Sequence, residues 1–139
     1  LAALRLGRDR DARAELERGV AADPEHAGAA NALARLLATS ADPGVRDGRR
    51  ALALARALRE RTNSAEVGQT FAMALAQAGD FNGAVQVQQQ IIATLARGSA
   101  TPQFLQDNLA RYAQRQPARA AWPADDPIFK PRSPAVARG

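Results

Sequence analysis

The chain has 139 residues, the length of one ordinary domain, and its formal net charge is +5. It contains 34 alanines and 18 arginines but no cysteine, a single histidine, His26, and a single lysine, Lys130. This composition excludes disulfides, thiol catalysis and zinc sites, and Lys130 lacks the glycine-rich surroundings of a phosphate-binding loop. We therefore expect no metal, no nucleotide cofactor and no enzymatic activity.

The charge is spread along the chain. Residues 1–61 carry 12 basic and 9 acidic groups. Residues 62–100 carry one basic and two acidic groups, and residues 101–139 carry six basic and three acidic groups. Because no dense basic stripe forms, nucleic acid is an unfavoured partner. Arginine in place of lysine, with abundant alanine, is typical of a GC-rich bacterial genome.

The chain shows no targeting or membrane signal. No apolar run approaches the roughly 18 residues of a membrane span, and the first residues lack a signal-peptide pattern. We expect a soluble protein of the bacterial cytoplasm or periplasm, cut from a longer polypeptide because it begins with Leu1.

Helical periodicity predicts seven helices, in chain order over residues 1–7, 9–22, 26–40, 47–61, 65–78, 81–97 and 102–115. His26 is predicted to lie in the turn at the start of the third. The fourth is predicted to be amphipathic: its core face consists of Ala51, Leu54, Ala55 and Leu58, and its solvated face of Arg49, Arg56, Arg59 and Glu60. The seventh is predicted to cap the array, with an inner face of Leu105, Leu109, Tyr112 and Ala113.

Two of these segments repeat one spacing of large and small residues. Ala30-x2-Leu33-Ala34-x2-Leu37 recurs 38 residues later as Gly68-x2-Phe71-Ala72-x2-Leu75, and both are predicted to be the first helix of a hairpin. The second helices share pairs of core positions four residues apart: Ala12 and Leu16, Ala51 and Ala55, Ala84 and Gln88. Gly7 and Gly79 precede two of these helices, where a left-handed glycine can end the first helix.

This pattern resembles the tetratricopeptide repeat family, whose unit of about 34 residues is a pair of helices. The resemblance covers residues 1–97, with five extra residues around positions 40–44 of the middle unit. Ala30, Gly68 and Gln88 stand where the family prefers larger apolar side chains. The resemblance implies an all-α, right-handed superhelical solenoid of about three hairpins with a C-terminal capping helix, together occupying residues 1–116.

Residues 117–139 form a separate proline-rich tail. Its five prolines disfavour a helix and favour an extended chain, yet it also carries Trp122, Ile128 and Phe129. Three interpretations stay open: docking on the helices, binding an outside partner, and disorder. We expect docking, with Trp122 and Phe129 buried against the capping helix or the last hairpin.

The resemblance also implies a function. Solenoids of this family bind a protein or peptide in the concave groove lined by their first helices, which makes the chain an interaction scaffold. The groove positions that would bind the partner are Asn31, Arg35, Gln69, Met73 and Gln77. Arg35 is expected to be a surface charge, whereas Met73 also fits the role of a core filler. The alternatives are an accessory domain of a larger enzyme and an RNA-binding helical repeat.

Overall fold

The computed structural model describes residues 8–97 and 101–124, and within these ranges all regular structure is helical. The six helices are α1 (Asp9–Ala22), α2 (Ala27–Thr39), α3 (Gly48–Arg61), α4 (Ala65–Gln77), α5 (Phe81–Ala96) and α6 (Gln103–Ala113). Each begins and ends within two residues of its predicted bounds, so the all-helical prediction is confirmed. The predicted helix over residues 1–7 and the predicted burial of Phe129 lie outside the described residues. None of the described helices is long and apolar enough to cross a membrane.

Local side-chain chemistry explains where the helices start and stop. His26 caps α2, its Nδ1 accepting a hydrogen bond from the backbone N–H of Ala29 at 3.0 Å, as the turn prediction required. Asp47, Ser64 and Asp80 cap the next three helices in the same way. At the end of α4, Gly79 adopts a left-handed φ of 96°, which confirms the predicted turn.

The helices pack in chain order. Each helix contacts the next, and α2 also contacts α4, so these two lie side by side. Every residue from 30 to 40 is buried, and α2 is therefore covered on all sides after its first turn. The predicted core face of α3 is buried at Ala51, Ala55 and Leu58 and half-buried at Leu54, and it opposes exposed arginines.

The five extra residues around positions 40–44 hold α1 against the rest of the fold. Asp42 accepts a hydrogen bond from Arg10 Nε at 2.7 Å, and Arg13 donates to the carbonyl of the buried Val45 at 3.0 Å. Asp9 accepts a hydrogen bond from Ser40. The insertion thus adds contacts between α1 and the α2–α3 connection.

The small and polar residues that depart from the repeat pattern are accommodated by close helix contacts. A Cβ added at Gly68 of α4 would lie 2.9 Å from Ile91 Cδ1 of α5, so the absence of a side chain at Gly68 lets Ile91 pack closely against α4. Gln88 of α5 is buried, and its Nε2 donates to the carbonyl of Leu105 in α6 at 3.0 Å. The undersized positions therefore bring neighbouring helices together.

The inner face of α6 differs from its prediction at two positions. Leu105 and Tyr112 are buried, but Leu109 is half-buried and Ala113 is exposed. Asn108 is buried instead. The buried face follows the helical spacing 105, 108, 112, and α6 ends at Ala113, which leaves that residue at the exposed end of the helix.

Candidate functional site

The described part of the tail, residues 117–124, lies across α2 and α4, and we call it the C-terminal segment. At its start, the carbonyl of Pro117 accepts a hydrogen bond from Arg111 Nε at 2.9 Å. Arg119 then donates to Gln77 Oε1, at the end of α4, at 2.9 Å. Trp122 reaches Glu66, in the first turn of α4. The segment therefore runs along α4 from its C-terminal end toward its N-terminal end.

A hydrogen-bonded turn directs the chain from α6 into this segment. Arg115 has a left-handed φ of 61°, and its N–H bonds to the carbonyl of Tyr112 at 3.0 Å. The N–H of Gln116 bonds to the carbonyl of Arg111 at 2.8 Å, which completes a helix-ending motif usually built on glycine. The guanidinium of Arg115 stacks over the ring of Phe81 at 5.3 Å, which helps to hold the unusual backbone.

Arg35 is the centre of the site. It is only 1 % exposed, and its planar guanidinium donates in three directions. Nε donates to Thr70 Oγ1, Nη2 to the carbonyl of Glu66 and Nη1 to the carbonyl of Ala121, each at 2.8 Å. A buried arginine is stable only when such donors are satisfied, and here one helix and the C-terminal segment supply the acceptors.

A second layer of polar groups fixes Arg35 from behind. Thr70, which is fully buried, accepts from Arg35 and donates to the side-chain oxygen of Asn31, one helical turn before Arg35. The Glu66 carboxylate lies 3.2 Å from Arg35 Nη2 and is 54 % exposed, so most of its charge remains in water. The network therefore links α2 to α4 through hydrogen bonds more than through the ion pair.

Trp122 completes the site. Its side chain is 7 % exposed, its ring centroid lies 5.4 Å from Arg35 Cζ, and its Nε1–H donates to Glu66 Oε1 at 3.4 Å. The predicted burial of Trp122 is thereby confirmed, and the docking surface includes α2 as well as the last hairpin. Ala118, earlier in the segment, is also fully buried.

The five side chains predicted to bind a partner divide into two groups. Asn31, Arg35 and Met73 are buried, and Met73 belongs to the core cluster, as its alternative interpretation proposed. Gln69 and Gln77 are half-buried, and Gln77 contacts the C-terminal segment. The expectation that Arg35 is a surface charge is wrong, because the C-terminal segment and α4 cover it. Whether the five residues bind a partner stays a prediction.

Two further members of the network, Glu66 and Thr70, did not stand out in the sequence. Their spacing of four residues on α4 matches that of Asn31 and Arg35 on α2. Since residues four apart share a helix face, two facing polar pairs were a detectable signal once α2 and α4 were paired.

Two ionisable groups beside the site, Arg119 and Tyr112, have shifted pKa values. Near Gln77, partial burial, together with the positive charges of Arg46 and Arg111, lowers the pKa of Arg119. Tyr112 of α6 is 1 % exposed, and its hydroxyl has no hydrogen-bond partner within the described residues. Burial raises the pKa of Tyr112, with the charges of Arg35 and Arg111 acting in the opposite direction.

The described residues include no group of three or more His, Asp or Glu side chains placed to hold a metal ion. No protein-family model, curated protein or solved structure matches the chain. The site is thus an extended segment that is held across two helices by a buried arginine.

Proposed function

We propose that this chain is a protein-interaction scaffold of the tetratricopeptide-repeat type that binds an extended peptide. The binding surface is the α2–α4 face, defined by Asn31 and Arg35 on α2 and by Glu66, Thr70 and Gln77 on α4. The observation that carries the proposal is the hydrogen bond from Arg35 to the main-chain carbonyl of Ala121. It is a contact that any extended polypeptide can make, since every residue offers such a carbonyl.

The repeat-like architecture supports this proposal. Successive helices pack in chain order, and α2 and α4, the first helices of two predicted hairpins, lie side by side. In a right-handed solenoid such helices line the concave side, which is the side that binds partners. The C-terminal segment occupies that side and forms the tail of a capped array.

The fixed orientation of the Arg35 guanidinium also supports the proposal. Arg35 Nε and Nη2 are held by Thr70 and by the carbonyl of Glu66, so Nη1 points toward the segment without help from it. A donor fixed in advance loses little conformational entropy on binding, which favours recognition of a backbone.

Site-specific photocrosslinking tests the proposed face. The probe is an octapeptide with the sequence of residues 117–124, blocked at both ends and added to the full chain carrying Trp122→Ala, which weakens the tethered competitor. A photoreactive amino acid at Gln69, half-buried on α4, should crosslink to the probe. The same amino acid at Arg56, exposed on α3, is the matched control and should not. Crosslinks confined to Arg56, or none at either position, would contradict the proposal.

A further inference from the structure

We propose that the α2–α4 face selects its partner by a tryptophan side chain, and that Trp122 occupies the partner's place within the chain. This inference rests on the proposed function and specifies the partner as an extended protein segment in which a tryptophan follows a main-chain carbonyl bound to Arg35. The chain itself displays this pair of groups, as Ala121 and Trp122.

The contacts of Trp122 distinguish an indole from other aromatic rings. The guanidinium of Arg35 lies over the ring face at 5.4 Å, a cation–π contact that is strongest for tryptophan. The Nε1–H donates to Glu66 Oε1, and phenylalanine has no equivalent group. Arg35 therefore contacts the π face of the indole, and Glu66 accepts a hydrogen bond from its N–H.

The site does not depend on the segment for its shape. The contacts of Arg35 with Thr70, with the carbonyl of Glu66 and with the Glu66 carboxylate, 3.2 Å from Nη2, do not involve the segment, so we expect them to persist when it leaves. Thr70 remains held by Asn31. The donors and acceptors that recognise the indole and the carbonyl are therefore in place for an outside segment.

The turn after α6 shows why an outside segment has to compete. Gln116 bonds back to Arg111, and Arg111 also holds the carbonyl of Pro117, so the segment leaves α6 already directed across α4. A short tether of this kind gives Trp122 an effective concentration on the order of millimolar. To displace the segment, a partner has to present the same main-chain carbonyl and tryptophan and to make additional contacts around them.

The test uses the full chain with its one tryptophan replaced by 5-fluorotryptophan, which gives a single ¹⁹F signal from the docked position. The probe is the unlabelled, blocked octapeptide with the sequence of residues 117–124, and the control is the same peptide with alanine in place of tryptophan. We expect the probe to convert the docked signal to the signal of a solvent-exposed indole. Because the tethered Trp122 competes at an effective concentration on the order of millimolar, conversion of half of the docked signal should require a probe concentration of about 1 mM. The alanine peptide should require at least about a tenfold higher concentration for the same conversion, since it lacks the aromatic contact with Arg35 and the hydrogen bond to Glu66.

A second arm measures direct binding to the full-length Trp122→Ala variant. The octapeptide should bind it at least about tenfold more tightly than it binds the unaltered chain, because the tethered indole is gone. The peptide with phenylalanine in place of tryptophan should bind between the octapeptide and the alanine peptide. Arg56→Ala, on the exposed face of α3, should leave every value unchanged. If circular dichroism shows that Trp122→Ala is unfolded, the ¹⁹F competition decides alone.

The outcomes separate the two proposals. Equal displacement and equal binding by the tryptophan and alanine peptides would overturn indole selectivity and leave peptide binding at the face intact. No displacement and no binding by either peptide would overturn both. A docked ¹⁹F fraction that rises with protein concentration would show that the occupant comes from a second copy of the chain, and would overturn the assignment to an outside partner.

Discussion

Arg35 keeps a permanently charged side chain at 1 % exposure, and its hydrogen bonds join α2, α4 and the C-terminal segment. Its contribution is therefore shared among three elements: removing the guanidinium takes a donor from the buried Thr70 hydroxyl and from the carbonyl of Ala121, whereas the carbonyl of Glu66 keeps a hydrogen bond from Thr70 Oγ1 at 3.1 Å. The ion pair with Glu66 adds little, because that carboxylate is half in water.

Arg35→Ala should lower the free energy of unfolding by about 2–4 kcal/mol, because buried acceptors lose a charged donor. Arg35→Lys should restore only part of this loss, since an ammonium group cannot reproduce the planar fork. Urea denaturation followed by circular dichroism measures both. The control is Arg56→Ala on the exposed face of α3, expected to change stability by less than about 0.5 kcal/mol. Equal effects of Arg35→Ala and Arg56→Ala would contradict the buried network.

Tyr112 presents the opposite case, a buried hydroxyl without a partner among the described residues. Tyr112→Phe removes the cost of keeping that group out of water, so it should leave stability unchanged or raise it by up to about 1 kcal/mol. The same denaturation experiment measures this change. A loss of more than about 1 kcal/mol would show that the hydroxyl is hydrogen-bonded in solution.

The burial of Tyr112 also leads us to expect that the stability of the fold depends on pH in the alkaline range. Since burial raises the pKa of Tyr112, the folded chain retains the phenol proton after the unfolded chain has released it. The resulting stabilisation is complete below a pH of about 10, the pKa of an unfolded tyrosine, and declines as the pH rises further. Tyr112→Phe should abolish this decline. Because the chain has one tyrosine, tyrosinate absorbance in the native protein follows the titration directly, and ionisation near pH 10 would refute the prediction.

At the scale of the helices, Gly79 and Gly19 form a matched pair. Gly79 ends α4 with a φ of 96°, a conformation that costs other residues about 1–2 kcal/mol, so Gly79→Ala should destabilise by that amount. Gly19 lies inside α1, where an added Cβ meets only Ala29 Cβ at an ordinary 3.7 Å. Gly19→Ala should therefore stabilise by about 0.5–1 kcal/mol. Thermal melts of both variants test whether the two changes have opposite signs.

These elements show what a sequence can predict here. Helix α5 is predicted over residues 81–97 and is observed as Phe81–Ala96. Its bounds depend on the cap at Asp80 and on the helical periodicity of its own sequence, and both are local features. The exposure of Arg35 depends on residues that arrive from α4 and from position 121, so its local pattern on α2 gave no warning of burial. The docking of Trp122 could be inferred from composition, but its place beside Glu66 required the packing of α2 against α4.

At the scale of the whole molecule, the C-terminal segment is a structural part of the fold. A chain that ends at Gln116 loses the burial of Ala118 and Trp122 and the bond from Arg35 to Ala121. We expect its melting temperature to fall by several degrees, since about 1 kcal/mol corresponds to roughly 3–6 °C for a domain of this size.

A chain that ends at Ala124 keeps every contact described for the segment and is the matched comparison. The difference between the two melting temperatures then reports the segment alone. Equal melting temperatures, together with emission from Trp122 at the wavelength of an indole in water, would show that the segment is undocked in solution.

The bond between Arg35 and Ala121 joins residues separated by 86 positions, which has a consequence for the protein as it is made. At about 5–20 residues per second, a ribosome takes roughly 4–17 s to extend the chain from one residue to the other. The last residue of α4, Gln77, is added about halfway through that interval, so α2 and α4 are both complete before Ala121 and Trp122 are synthesised. For the proposed partner, this period of synthesis is an opportunity to bind the α2–α4 face before its tethered competitor exists.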